Sequence, residues 1–359
     1  MPRAKYNFSA GPAGLPDEVL LEASRGVVEI SNSGMSILCV SHRGGAYEAL
    51  HQEATANLRE LLAIPEEFAV LLLQGGASTQ FALVPMNLAQ GKPVDYALSG
   101  QWAQAALVEA EKVAKPRVVA DSGKVRPARM PFPGEMKLSS DAAYVHLTSN
   151  ETIDGTRWVE FPQSPVPLVA DMSSDIMSRP IPWSQFGLVY AGAQKNLGPA
   201  GVTVVVIRKD LAAQAPASLP TMLRYQTHVE KESLYNTPPC FSIYVLALVT
   251  RWVKKMGGIA GVSALNESKA KKLYAAIDRT GFYRGTADKN FRSLMNVTFR
   301  LPTPELEEKF AKESSAIGLS GLKGHRSVGG IRASIYNAMP EAGVDALVSF
   351  MEDFEKRQG

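Results

Sequence analysis

Only two cysteines, Cys39 and Cys240, occur among the 359 residues. That excludes a disulfide framework and any CxxC metal or redox site, and it fits a reducing compartment. Neither sign of charge is in excess, because 38 Lys and Arg stand against 35 Asp and Glu and leave +3. So near a balance gives no electrostatic basis for binding nucleic acid. The apolar stretches Val202 to Ile207 and Tyr244 to Val249 fall far short of the roughly 18 residues of a membrane span. The opening MPRAKYNFSAGPAGLPDEV has no apolar core of the kind a signal peptide carries. The expectation is a cytoplasmic protein that neither enters a membrane nor binds nucleic acid.

Familiar chemical signatures are also missing. There is no GxxxxGK phosphate loop, no GxGxxG after a strand, no HExxH and no GxSxG elbow. The histidines His42, His51, His146, His228 and His325 show no metal-ligand spacing, so no metal is expected.

What is present is an alternation of short apolar runs and helix-like segments. FAVLLLQ at 68–74 precedes TQFALVPMNLA, and VDYALS at 94–99 precedes QWAQAALVEAEKVA; AAYVHLTS, VPLVADMSS and GVTVVVIRK supply further strands. Strands that are apolar on both faces and separated by helices predict an α/β fold with a mainly parallel, doubly covered sheet. The length suggests about two domains. CFSIYVLALVTRWVKKMGG reads as a long helix ending at Gly257 and Gly258, a stop and a domain hinge. We therefore expect a large domain at 16–257 and a smaller α+β domain at 258–359, with residues 1–15 associated with the smaller one.

The stretch AGAQKNLGPAGV brackets Lys195 with glycines, alanines and a proline just before an apolar strand. A tight turn entering a strand would account for that alone. Asp171, at the end of the predicted strand PLVA, also has a plainer role as a helix N-cap. Together they supply the two ends of a pyridoxal phosphate site. A lysine amine bonds the cofactor aldehyde, and a carboxylate keeps the pyridine nitrogen protonated so that the ring accepts electrons. A phosphate also needs a cradle, and Gln74 to Thr79, with Gly75, Gly76 and Ala77 between a strand and a helix, offers backbone N–H groups. Trp102 opens a helix where its indole could lie on the ring; core packing is the alternative.

NFSAGPAGLP, SHRGG, QGGAS, NETIDG, VADMSSDIMSRP, AGAQKNLGPAG, YNTPP and GHRSVGGIRASIYNAMP occur in this order from about Asn7 to Pro340. In these strings the chain resembles the phosphoserine aminotransferase family, class-V pyridoxal phosphate enzymes of serine biosynthesis. The resemblance implies a fold-type-I architecture with a seven-stranded large-domain sheet, and a homodimer with active sites at the subunit interface. It implies that Lys195 carries pyridoxal 5′-phosphate as a Schiff base, that Asp171 pairs with the pyridine nitrogen and that Trp102 stacks on the ring. Gly76, Ala77, Thr152 and Gln194 would contact the phosphate and ring, and Asn236 and Thr237 would reach the cofactor phosphate of the neighbouring subunit.

Phosphoserine, glutamate and their keto acids carry two or more negative charges, and the planar guanidinium fork suits such groups. Two His-Arg dipeptides sit in glycine-flanked loops, His42-Arg43 and His325-Arg326, and Arg332 follows on a predicted strand. By resemblance, Arg332 holds the α-carboxylate, while His42, Arg43, His325 and Arg326 form the pocket for the distal phosphate or carboxylate. His42 and Arg43 are candidates for contribution by the other subunit. The expected reaction is transamination between L-glutamate and 3-phosphohydroxypyruvate, and the family also acts on a phosphorylated hydroxythreonine precursor of vitamin B6.

Other readings compete. A cysteine desulfurase needs a reactive thiol on a flexible loop, whereas Cys39 and Cys240 read as packed thiols. An aminotransferase of the same fold acting on alanine or serine and glyoxylate would leave both His-Arg pairs without a purpose. A non-catalytic homologue would have no use for an intact Lys195 and Asp171.

Overall fold

The computed structural model describes residues 6–30 and 32–359; the first five residues of the expected amino-terminal segment lie outside that range. Seven strands form the main sheet: β1 Phe68–Leu73, β2 Pro93–Leu98, β3 Lys115–Asp121, β4 Val145–Thr148, β5 Leu168–Asp171, β6 Phe186–Gly192 and β7 Thr203–Arg208. Their spatial order is β1-β7-β6-β5-β4-β2-β3. All pairs are parallel except those of β7, which runs antiparallel to both β1 and β6.

The residues explain this layering. Successive strand side chains point to opposite faces, and here both sets are apolar. Val204 and Val206 of β7 enter one core with Phe68, Val70 and Leu72 of β1, while Val205 and Ile207 enter another with Ala69, Leu71 and Leu73. Helices α1 Asp17–Val28, α2 Gly45–Leu61 and α5 Cys240–Lys255 close the first face. Helices α3 Gly76–Leu88 and α4 Gln101–Ala110 close the second.

The edge strand β3, KPRVVAD, departs from the expectation of strands apolar on both faces: several of its side chains are exposed. Pro116 cannot donate to a ladder and is tolerated at an edge. Arg117 turns back from this strand to buried Asp95 at 2.8 Å and to Asp141 at 2.8 Å.

After α5 the chain turns at Gly257 and continues as α6 Gly258–Asp278. Beyond it α6, α7 Pro304–Ala316 and α8 Glu341–Gln358 pack with the antiparallel strands β8 Asn296–Arg300 and β9 Ile331–Ser334. Phe8 joins this third core, and the short strand Tyr6–Asn7 pairs in parallel with Leu319–Ser320. One reading needs correction. Cys39 is exposed, not packed, while Cys240 is half-buried. Among the described residues, no helix is long and apolar enough to cross a membrane.

Candidate active site

Six strands of common direction end at one edge of the sheet, where ligands of open α/β sheets gather. β1 runs into Gly75-Gly76, β2 into Trp102 at the start of α4, β4 ends at Thr148, β5 at Asp171, and β6 three residues before Lys195. Asp171 and Thr148 are neighbours across the β4–β5 pair and so project from the same face.

Asp171 is 6% exposed and accepts the Ser173 N–H at 2.8 Å. Burial raises its pKa, and the Ser173 hydrogen bonds and the Lys195 charge act against that. Lys195 donates from Nζ to Thr152 Oγ1 at 2.9 Å, and the same nitrogen lies 6.0 Å from the centre of the Trp102 indole. Crowding by protein atoms pushes its pKa down to about 8; Asp171 opposes the fall and Arg332 adds to it. Both residues line a cavity of about 130 Å³ together with Gly76, Ala77, Trp102, Thr152 and Gln194. It shares Gly76, Trp102, Thr152, Gln194 and Lys195 with a cleft of about 610 Å³ that also reaches His325 and Arg332.

The turn before α3 supplies an anion cradle. Gly75 and Gly76 adopt φ of +94° and +68°, which side chains rarely tolerate, and no side chain caps the helix. Its first N–H groups and its dipole therefore face whatever occupies the cleft. A Cβ on Gly76 would meet no atom within 4 Å, so the cradle is open. Thr148 Oγ1 is buried without a partner in the wall of the smaller cavity. An anion cradle, a depressed amine, a buried carboxylate and an aromatic face around one cavity fit pyridoxal 5′-phosphate.

At the mouth, Arg332 is half-buried and its Nε has no partner. His325 contacts Ser327 Oγ through Nδ1 at 2.7 Å, and burial, Arg332 and Arg326 lower its pKa while Asp154 opposes them. Five other expected residues do not line this cleft within one chain. Arg326 is exposed on the His325 loop; His42 is half-buried with an unpartnered Nε2 and Arg43 is exposed, both just before α2. Thr237 is exposed too, accepting the Gln74 amide on its carbonyl at 3.2 Å. Asn236 belongs to a separate cavity of about 360 Å³ beside Gly75 and Thr79.

Sequence reasoning missed Glu151. Fully buried, it accepts the Ser99 hydroxyl at 3.0 Å, the Ala103 N–H at 3.2 Å and the Trp102 N–H at 3.4 Å. Burial raises its pKa to about 7 despite the Ala103 N–H, with Asp154 adding to the rise. The available signal is that LSGQWAQ opens a helix with no cap of its own.

Comparison with known proteins follows the same lines. The model of the class-V aminotransferase family matches residues 5–347. A phosphoserine aminotransferase of Niallia circulans is 54% identical over the whole of both chains. The solved phosphoserine aminotransferase of Bacillus circulans subsp. alkalophilus superposes with a TM-score of 0.96 at 54% identity, over 99% of each chain. That of Trichomonas vaginalis, solved with PLP bound, superposes with a TM-score of 0.93 at 42% identity, over 97% of this chain and 99% of its own.

Proposed function

This chain belongs to the class-V aminotransferases and within them to the phosphoserine aminotransferases, and on that premise we propose that it transfers the amino group of L-glutamate to 3-phosphohydroxypyruvate. The products are O-phospho-L-serine and 2-oxoglutarate, so the enzyme serves serine biosynthesis. Its cofactor is pyridoxal 5′-phosphate, which when bound supplies an electrophilic aldehyde and an electron-accepting ring.

The observation that carries this reading is the pairing of Lys195 and Asp171 in one small cavity beside an uncapped helix N-terminus. Lys195 would hold the cofactor through its amine. The same Nζ would serve as the base that accepts the proton from the substrate α-carbon. In the cofactor-free protein burial lowers the pKa of this amine to about 8, which favours the neutral form that such a role needs. Asp171 would favour a proton on the ring nitrogen by its negative charge. Trp102 would cover one ring face and exclude water, Thr152 orients Lys195 through its hydroxyl, and Gln194, Gly76 and Ala77 would hold the ring and phosphate.

Arg332 binds the α-carboxylate common to both amino acids. His325 and Arg326, with His42 and Arg43 from the partner subunit, receive the distal phosphate or carboxylate. Asn236 and Thr237 would complete the phosphate site of the partner, which explains why they stand away from their own cleft. The active form is therefore a homodimer with the division at 257–258 separating two domains, and its location is cytoplasmic, consistent with two free thiols. A phosphorylated hydroxythreonine presents the same distal anion, so the reading extends to vitamin B6 synthesis.

A coupled assay with glutamate as donor tests the assignment. 3-Phosphohydroxypyruvate should be the preferred acceptor over glyoxylate and pyruvate. Preference for glyoxylate would replace this reading with that of an alanine or serine aminotransferase.

A further inference from the structure

Helix α4 carries Trp102 on its second residue but has no side-chain cap from its own sequence. The first N–H groups of a helix have no partner within it, and buried ones need one. The Trp102 and Ala103 N–H groups find theirs in Glu151, which lies 48 and 49 positions further along the chain. The Ser99 hydroxyl donates to the same carboxyl, so Glu151 grips both ends of the turn that leads from β2 into α4.

The fit leaves no slack. Gly100 lies between these residues with an extended backbone that any residue could adopt, so conformation does not require a glycine there. Space does: a Cβ at 100 would stand 2.6 Å from Glu151 Cδ and 2.8 Å from Asp154 Oδ2. Asp154 is in turn held by Arg126 at 3.3 Å. The residue after Glu151 is Thr152, which accepts the Lys195 amine. A single short segment thus fixes both the indole and the amine.

We propose that Glu151 is a positioning residue of the active site, acting as the remote N-cap of α4 that sets Trp102 over the cofactor ring. The capping half of the proposal is a statement about the free protein. The ring half rests on the aminotransferase reading above.

The tests use full-length Glu151→Gln and Glu151→Leu proteins. Gln keeps one acceptor oxygen, whereas Leu keeps none. In the free protein, hydrogen exchange at the Trp102 and Ala103 amides should quicken in the order wild type, Gln, Leu, with the sheet core unchanged. The dissociation constant for pyridoxal 5′-phosphate should rise by roughly tenfold for Leu, equivalent to ~1.4 kcal/mol, and by less for Gln. The visible circular dichroism of the bound cofactor, which reports its seat against the indole, should change in the same order.

Unchanged exchange at those amides in the Leu protein, or exchange raised uniformly through the fold, would overturn the proposal. Should the Leu protein fail to fold, Gly100→Ala serves instead, since its methyl group must displace the carboxyl; unaltered exchange and cofactor affinity there would count equally against it. If the wild type itself took up no cofactor, the aminotransferase reading would fall, and the amide exchange would still decide the cap.

Discussion

Asn337 donates its backbone N–H to the side-chain oxygen of Asn196 across 3.0 Å. The residue beside Lys195 is thereby tied to the turn between β9 and α8, in the layer that also carries Arg332. Asn196 spends its amide on the Ile176 carbonyl at 2.9 Å, and Asn337 spends its own on the Met177 carbonyl at 2.8 Å. Asn266 of α6 donates to the Asn337 oxygen at 2.8 Å. Three buried asparagines therefore link the turn that carries Lys195 to the layer that carries Arg332.

Asn196→Ala should destabilise the protein by about 2 kcal/mol, because the Asn337 N–H and the Ile176 carbonyl would stay buried without these partners. Chemical denaturation measures the loss. An unchanged midpoint would mean that water or a neighbour satisfies both groups.

Lys195→Ala should abolish the cofactor's visible band and lower turnover by at least about 10³-fold. The wild-type amine also predicts a pH profile. Its pKa falls to about 8 through burial, so the neutral, nucleophilic form grows as pH rises and saturates above that value. The rate at which cofactor-free protein takes up pyridoxal 5′-phosphate should accordingly climb from pH 6.5 and level off beyond about 8. A flat profile would show that the amine does not limit uptake.

Arg332→Ala should raise KM for glutamate and phosphoserine alike by roughly thirtyfold, the equivalent of one charge-assisted hydrogen-bonded contact of ~2 kcal/mol. Arg326→Ala should weaken only substrates with a distal anion and leave alanine as poor a substrate as before. Steady-state kinetics with the three amino acids separates the two arginines; equal effects of both changes on all three would refute the division of labour.

Arg43 is exposed and apart from the cleft of its own chain. Lys195→Ala and Arg43→Glu proteins, each inactive alone, should regain activity when unfolded and refolded together. Random pairing makes half the dimers hybrid with one intact site of two, so about a quarter of the wild-type rate is expected. No recovery would place Arg43 in the site of its own subunit.

The alternating apolar strands, the glycines around Lys195 and the carboxylate at 171 were legible because each is a local pattern. Strand β3 was less so, since an edge strand with Pro116 and Arg117 lacks the apolar signature of its neighbours. Glu151 was hidden for a different reason: its partners lie some fifty residues away, and nothing in NETIDG distinguishes a buried cap from a surface acid.

The two lysines with lowered pKa values mark the division between what the sequence determined and what tertiary structure decided. Lys269 is buried more completely than Lys195, and burial pushes its pKa down to about 7. Its Nζ, however, donates to the carbonyls of Ile335, Tyr336 and Met339 at 2.8 to 3.0 Å, which uses all three of its protons and makes it a structural clamp. Lys195 has the Thr152 hydroxyl as its partner and faces a cleft. Sequence alone supplied the layered sheet and the residue types at its carboxyl edge, because strand and helix periodicity act over neighbouring positions. Which lysine faces the cleft, which acid caps the tryptophan helix and which arginine lines the cleft were decided only when distant segments met, because hydrogen bonding and desolvation depend on distance in space.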